Sequence, residues 1–298
     1  MKWGVRHMSV YKHIYRAYDG KVTPVWTRVF VLARYGFEEA WSSKITIGLF
    51  TICFLPFVFF LIGIYLANNP LARALTGFRG PQVLTINAEY FLTLIEVQSW
   101  FALPLASWIA PRLISFDLSD NALPILLSHP ISRFGYVLGK FIALFTSLSF
   151  VTWVPCLLLF TYQSYSSPLP WFAANFQIAV GLLIGELIWI AFLSILGLAI
   201  SSWVKWRVMA TGAIFAATYV PAGVGGIVTA VLRTKWGYLL NIPFMMTTLW
   251  HRLVGVPESI RGDHSLPTAA IAATLVMACL ICAAMLNARI RAREVVRG

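Results

Sequence analysis

Charge is what this sequence has least of. Asp, Glu, Lys and Arg make up 11% of its 298 residues, where ordinary soluble domains carry about 25%. A soluble fold with so few charges would expose large apolar patches and aggregate. Hydrophobic residues reach 59% and the mean hydropathy is +0.77. The length is taken up by apolar runs long enough to cross a bilayer, about 20 residues each. Acidic side chains are scarcest, 11 against 23 Lys and Arg, for a net charge of +12. In a membrane protein such an excess marks topology, because basic residues gather in cytoplasmic loops. No basic patch is interleaved with the pattern of a soluble DNA- or RNA-binding module, which argues against nucleic acid as a partner.

Other absences narrow the chemistry. There are four cysteines, Cys53, Cys156, Cys279 and Cys282, all inside apolar runs. They show no disulfide framework and read as small apolar residues of the core or the lipid face. Cys279 and Cys282 share one helix face, but a zinc site needs two more ligands and none is near, so no metal is expected. The five histidines, His7, His13, His129, His251 and His264, include none in mid-span, which argues against a haem held by paired axial ligands. No Ser-His-Asp or His-Glu-x-x-His arrangement is visible, so no catalytic residue is assigned. Residues 1–43 lack the apolar h-region of a cleaved signal peptide, and the first span is expected to act as an uncleaved targeting signal. No solenoid repeat, low-complexity tract or evident inverted repeat is present. Gly135-x-x-x-Gly139-Lys140-Phe141 fails as a phosphate loop, which needs four residues between the glycines and Ser or Thr after the lysine. The chain itself is therefore not expected to be an ATP-binding enzyme.

What is present is a series of spans. Residues 1–24 are polar and basic, with Lys2, Arg6, Lys12, Arg16 and Lys21. Over 25–43, Trp26, Phe30, Ala33, Phe37 and Trp41 recur at helical spacing, interrupted by Arg28, Arg34, Glu38 and Glu39. This predicts an amphipathic helix, lying in the membrane interface or docked on a partner. Six apolar spans follow, over about 45–67, 90–110, 136–162, 176–201, 208–232 and 268–287. A further segment, 238–256, carries Phe244, Met245, Met246, Leu249 and Trp250. It is too interrupted to span and reads as re-entrant. If the N-terminus is inside, 17 basic residues fall in inside segments and six outside. Both termini are then cytoplasmic. The fold class is all-α and polytopic, with an arm and interfacial helix over 1–43 and a six-span domain over 44–298.

Three features inside the spans stand out. Gly181-x-x-x-Gly185 permits close helix approach, as a packing or dimer contact. Glu186 is a carboxylate within the fourth span, costly there and a candidate for substrate cation binding, proton coupling or an interhelical hydrogen bond. Glu96, in the second span, is a candidate cavity-lining residue.

The loop between the second and third spans, 111–135, is the most distinctive stretch. Asp117 to Leu127 is expected to form a short amphipathic helix, with Asp117 near its start complementing the helix dipole. His129-Pro130 ends it, because the residue before proline avoids the α region. A short ordered helix on such a loop is a docking element. The order Asp117, Leu126-Leu127, Ser128-His129-Pro130-Ile131-Ser132-Arg133 and Gly139-Lys140 resembles the type-two ABC exporter permeases. Members show an acidic residue, a Leu-Leu pair, Ser-x-Pro-Ile/Val-Ser-Arg and a Gly-Lys opening the third span. Six spans and the helix before them also look like that family. Asn121 departs from the glycine many members carry, but Asn tolerates left-handed geometry.

The resemblance implies a permease subunit of an ATP-driven exporter in a prokaryotic inner membrane, paired as a dimer. It implies cytoplasmic ABC ATPase subunits as partners, holding ATP and Mg, with no cofactor in this chain. It also implies an ATPase-coupling loop carried by Asp117, Ser119, Asp120, Asn121, Leu126, Leu127, Pro130, Ser132 and Arg133. The competing readings are a secondary transporter and a membrane-embedded enzyme or anchor subunit. The substrate is not readable from these residues.

Overall fold

The computed structural model describes residues 24–75, 85–119, 132–168, 170–256 and 266–295. Among them there is no strand. Helix α1 (Val25–Trp41) comes first, then α2 (Lys44–Cys53), α3 (Leu55–Asn68), α4 (Pro70–Leu75), α5 (Ala88–Ser119), α6 (Arg133–Ser149) and α7 (Trp153–Ser166). After these come α8 (Pro170–Trp203), α9 (Arg207–Leu232), a 3-10 helix at Lys235–Leu240, α10 (Ile242–Val254) and α11 (Thr268–Val295). Six segments are long and apolar enough to cross a membrane: α2 with α3, α5, α6 with α7, α8, α9 and α11. The chain is a multi-pass, all-helical membrane protein.

Helix α8 is the central post. It packs against α5, α6, α7, α9, α10 and α11. It can do so because it is apolar on every side, the composition of a buried helix. The segments built from α5, α6–α7 and α8 bury most of their apolar windows, whereas α2–α3, α9 and α11 leave most of theirs exposed. Exposed apolar surface needs no protein partner where lipid is the solvent.

Prolines interrupt these helices, and side chains from neighbouring helices satisfy the carbonyls they free. Pro155 lacks the N–H that Val151 would meet one turn earlier. Gln98 of α5 donates its amide to the Val151 carbonyl instead. The same Nε2 donates to the carbonyl of Cys53 at 2.9 Å, where α2 ends and α3 begins. Two broken spans are thus pinned to one side chain. Pro111, inside α5, likewise frees the Ser107 carbonyl, and Thr211 of α9 donates its hydroxyl there at 3.0 Å. Such substitution is what lipid requires, since no water is present to take the freed group.

Helices α5 and α8 run parallel in close contact. A Cβ on Gly197 would lie 2.8 Å from that of Ala110. Ser115 donates to the carbonyls of Ser201 at 3.0 Å and Val204 at 3.1 Å, satisfying the open C-terminal turn of α8. Carried along two helices of equal rise, this register brings Glu186 level with Gln98 and Ser99.

Helix α10 packs antiparallel on α8. A Cβ on Gly181 would lie 2.6 Å from the carbonyl oxygen of Leu253, and one on Gly185 would lie 2.5 Å from a ring carbon of Trp250. The Gly181/Gly185 pair therefore makes a contact within the chain. The 3-10 helix packs on α9, with Gly237 facing Gly225 backbone to backbone.

Candidate functional site

The best-defined polar cluster lies where α5 ends and α6 begins, at the base of residues 120–131. Helix α5 is continuous through Asp117 to Ser119. The expectation that a separate loop helix opens at Asp117 is corrected: Asp117 sits in the last turn of the second span, because Pro111 is absorbed within α5 and does not end it. Of the expected 111–135 loop, residues 111–119 belong to α5 and 133–135 to α6, and residues 120–131 lie outside the described residues.

The C-terminal turn is the wrong end of a helix dipole for a carboxylate. Two groups of α6 offset this. Lys140 Nζ lies 2.8 Å from Asp117 Oδ2. Tyr136 donates its hydroxyl to the same oxygen at 2.7 Å. Tyr136 and Lys140 are one turn apart and face the same way, so the arrangement follows from helical spacing. Lys140 is only 4% exposed in its side chain. A buried ammonium at the rim of a membrane span is tolerated only when paired.

Helix α1 covers this pair. Val29, Leu32, Ala33 and Ala40 face inward, while Trp26, Phe30 and Tyr35 face outward. Gly139 is needed for the approach, since a Cβ there would lie 3.0 Å from Leu32. Gly36 faces Ala143 and Leu113 in the same way. Helix α1 also brings Glu39, whose Oε2 is 3.7 Å from Lys140 Nζ. Burial pushes the Glu39 carboxyl above its ordinary range; Lys140 pulls it back down, and Asp117 pushes it further up. Three helices thus meet on one lysine.

Ser132 caps α6, its Oγ accepting from the Gly135 N–H at 3.0 Å. Arg133 is the first residue of that helix. Ser119 is the last residue of α5. Asp120, Asn121, Leu126, Leu127 and Pro130 lie outside the described residues. The N-terminal arm before residue 24 does as well.

The two intramembrane carboxylates have different surroundings. Glu96 is partly buried, with Oε1 3.9 Å from Nε2 of His251 on α10. Glu186 is fully buried, and neither of its oxygens has a hydrogen-bond partner among the described residues. Among the described residues no three His, Cys, Asp or Glu side chains gather as a metal site.

Glu39, Tyr136 and Gln98 carry the polar contacts that sequence reasoning did not assign. Tyr136 was available from its spacing to Lys140. Gln98, a lone amide in an apolar run beside proline-broken spans, carried a weaker signal. No model of a known protein family matches the chain, and no curated protein matches it either.

Proposed function

We propose that this chain is the transmembrane permease subunit of an ATP-driven ABC exporter, working as a dimer with two cytoplasmic ATPase subunits. The observation that carries this reading is the joined base of the 120–131 segment. A loop that receives force from a partner can pass it on only if its ends are held to the spans. Here Asp117 and Lys140 tie the end of α5 to the start of α6, Glu39 adds α1, and Ser115 adds the end of α8. The motif order from Asp117 to Lys140 supplies the likeness to a coupling loop.

In this reading the bundle end carrying α1, Lys140 and Arg289 faces the cytoplasm of a prokaryotic inner membrane, with both termini on that side. Helix α1 lies at the interface, with Trp26, Phe30 and Tyr35 in the headgroups. The 3-10 helix and α10 form a re-entrant pair from the opposite side. ATP-driven closure of the ATPases displaces residues 120–131, and the ends of α5, α6 and α1 move together. The loop must contact the ATPase differently in the two states, or nothing is coupled. The breaks at Cys53 and Val151 are natural pivots, because the ladder is already interrupted there.

The test is co-purification from detergent-solubilised native membranes. Recovery of an ABC ATPase with the intact chain, and its loss when residues 120–131 are scrambled, is the expected result. A folded chain that brings no ATPase overturns the reading.

One observation favours a second reading. Glu186 is a fully enclosed, unpartnered carboxyl level with the broken spans, a position suited to ion or proton coupling in a secondary transporter. Substrate flux into vesicles without nucleotide, abolished by Glu186→Gln, would favour that reading over the first.

A further inference from the structure

Two arginines meet on one tryptophan where α9 begins against α5. Trp108 and Arg112 stand one turn apart on α5 and share a face. Arg207 opens α9 and lays its guanidinium over the Trp108 ring, 3.8 Å from the ring centre. Thr211 donates to the Ser107 carbonyl at 3.0 Å. The two helices run antiparallel, so Arg207, one turn before Thr211, comes level with Arg112, just over one turn past Ser107. Arg112 Nη2 also reaches Ser42 Oγ at 3.5 Å, at the junction of α1 and α2.

The described part of the protein gives these two cations no counter-charge. Arg112 Nε, Arg207 Nε and Arg207 Nη2 are enclosed and meet no acceptor among the described residues, and neither does the indole N–H of Trp108. No described carboxylate lies within ion-pair distance of either guanidinium. Glu39 is drawn down by Lys140 more than by Arg112, and its 3.7 Å contact is with Lys140. A partly buried charge without a paired anion is costly. Both arginines keep an exposed part, and an anion on that side offsets both. The first turn of α9 points the same way. It has no side-chain cap and no acidic residue, so its N–H groups and dipole favour negative charge.

We propose that Arg112, Arg207 and the first turn of α9 bind the phosphate of an anionic phospholipid. Arginine suits this task because its planar fork meets phosphate oxygens two at a time. Stacking on Trp108 holds the Arg207 fork in place. The surface around the cluster makes lipid the source of the phosphate. Trp206, Val208 and Met209 of α9 are 73%, 82% and 59% exposed, and Ile45 of α2 is 56% exposed. Both helices belong to membrane-spanning segments. Acyl chains cover that apolar surface while the headgroup reaches the arginines, with Trp206 at the level where aromatic side chains meet headgroups. Paired arginines favour a headgroup of net negative charge over one that carries its own ammonium. The proposal rests on the membrane embedding and not on the transport reading, so the two fail separately.

The experiment uses the full chain, purified in mild detergent after reconstitution in equal phosphatidylglycerol and phosphatidylethanolamine, with retained lipid counted by native mass spectrometry. Phosphatidylglycerol is expected to be retained preferentially. Arg112→Gln and Arg207→Gln are each expected to lower that preference about fivefold, the contribution of one basic side chain near a membrane surface. Arg207→Lys keeps the charge and the fold but loses the fork and the stack, and is expected to lower it as well. Arg291→Gln is the control for charge alone. Arg291 is exposed on α11 at the same end of the bundle, where its neighbour Arg289 donates to the Ser202 carbonyl at 3.3 Å. It is expected to change nothing. Inorganic phosphate, which has no chains, is expected to leave the retained lipid in place. Equal retention of the two lipids by the parent overturns the proposal. So does a preference unchanged in both Arg112→Gln and Arg207→Lys, or one lowered as much by Arg291→Gln as by Arg207→Gln. Displacement of the lipid by inorganic phosphate overturns lipid as the source. Loss of a co-purifying protein from Arg207→Lys, with lipid retention unchanged, assigns the cluster to a protein partner and overturns it too.

Discussion

Lys140 reaches Asp117 at 2.8 Å across the opening of the 120–131 segment, and its side chain is almost entirely enclosed. It also faces Glu39 of α1 at 3.7 Å. One ammonium therefore serves two carboxylates from two other helices, and its loss should cost more than the loss of either acid. Lys140→Met strands both Asp117 and Glu39, whereas Asp117→Asn leaves Lys140 a remaining carboxylate. We expect Lys140→Met to destabilise by about 3 kcal/mol, the low end for breaking a buried pair because both acids keep some exposure. Asp117→Asn should cost less. Thermal unfolding in detergent checks the order, and equal midpoints for the two variants would contradict the shared-lysine geometry.

The raised carboxyl of Glu39 sets a direction for pH. Its ordinary value is 4.5 and burial is the main cause of the rise. The folded state then holds the proton more tightly than the unfolded state. Stability from this group is present below the ordinary value and lost as pH rises through the raised one. Glu39→Gln should flatten that part of the stability profile. Melting points of both proteins from about pH 4 to pH 7, the range an acid titrating above its ordinary value spans, test this, and parallel curves would remove Glu39 as the source.

Gln98 predicts a rescue. Gln98→Leu leaves the carbonyls of Cys53 and Val151 without their donor, at about 1–3 kcal/mol for each buried unsatisfied group. Pro155→Ala returns an N–H opposite the Val151 carbonyl. The double variant should therefore melt above Gln98→Leu alone. If Pro155→Ala is equally destabilising in both backgrounds, the amide is not replacing the missing backbone donor.

The glycines of α8 should differ in tolerance. A Cβ at Gly181 meets the backbone of Leu253, and one at Gly185 meets the ring of Trp250. A backbone cannot turn aside, whereas an indole has some freedom. Gly181→Ala should cost more than Gly185→Ala, both within the roughly 1–3 kcal/mol of overpacking. Midpoints of thermal unfolding read this directly.

Glu186 makes a prediction of opposite sign. Its carboxyl has no partner among the described residues, so Glu186→Gln removes a group that is costly to ionise in lipid and breaks no bond. The variant should be at least as stable as the parent. A loss of several degrees would mean that the carboxyl holds the helices together.

The polar cluster around Asp117 and Lys140 was only partly legible in the residue order. The motif located Asp117 and Lys140, but the second span read as ending near residue 110, with a new helix opening at Asp117. In the fold Thr211 takes over the carbonyl that Pro111 frees, so α5 runs on to Ser119. That contact belongs to a helix about a hundred residues away, and no local pattern encodes it. Gly181 and Gly185 were likewise readable as sites of close approach, but not as contacts with α10.

The sequence alone determined that the chain is helical and carries six segments long and apolar enough to cross a membrane. Apolar runs of about 20 residues carry that meaning whatever they pack against, because the bilayer sets their length. Only the tertiary structure decided that Gln98 pins two broken spans, that Lys140 joins three helices and that Glu186 is enclosed. Within lipid the hydrophobic effect does not choose between helix faces, so small residues and polar contacts set rotation and depth. Those contacts exist only once the helices have met.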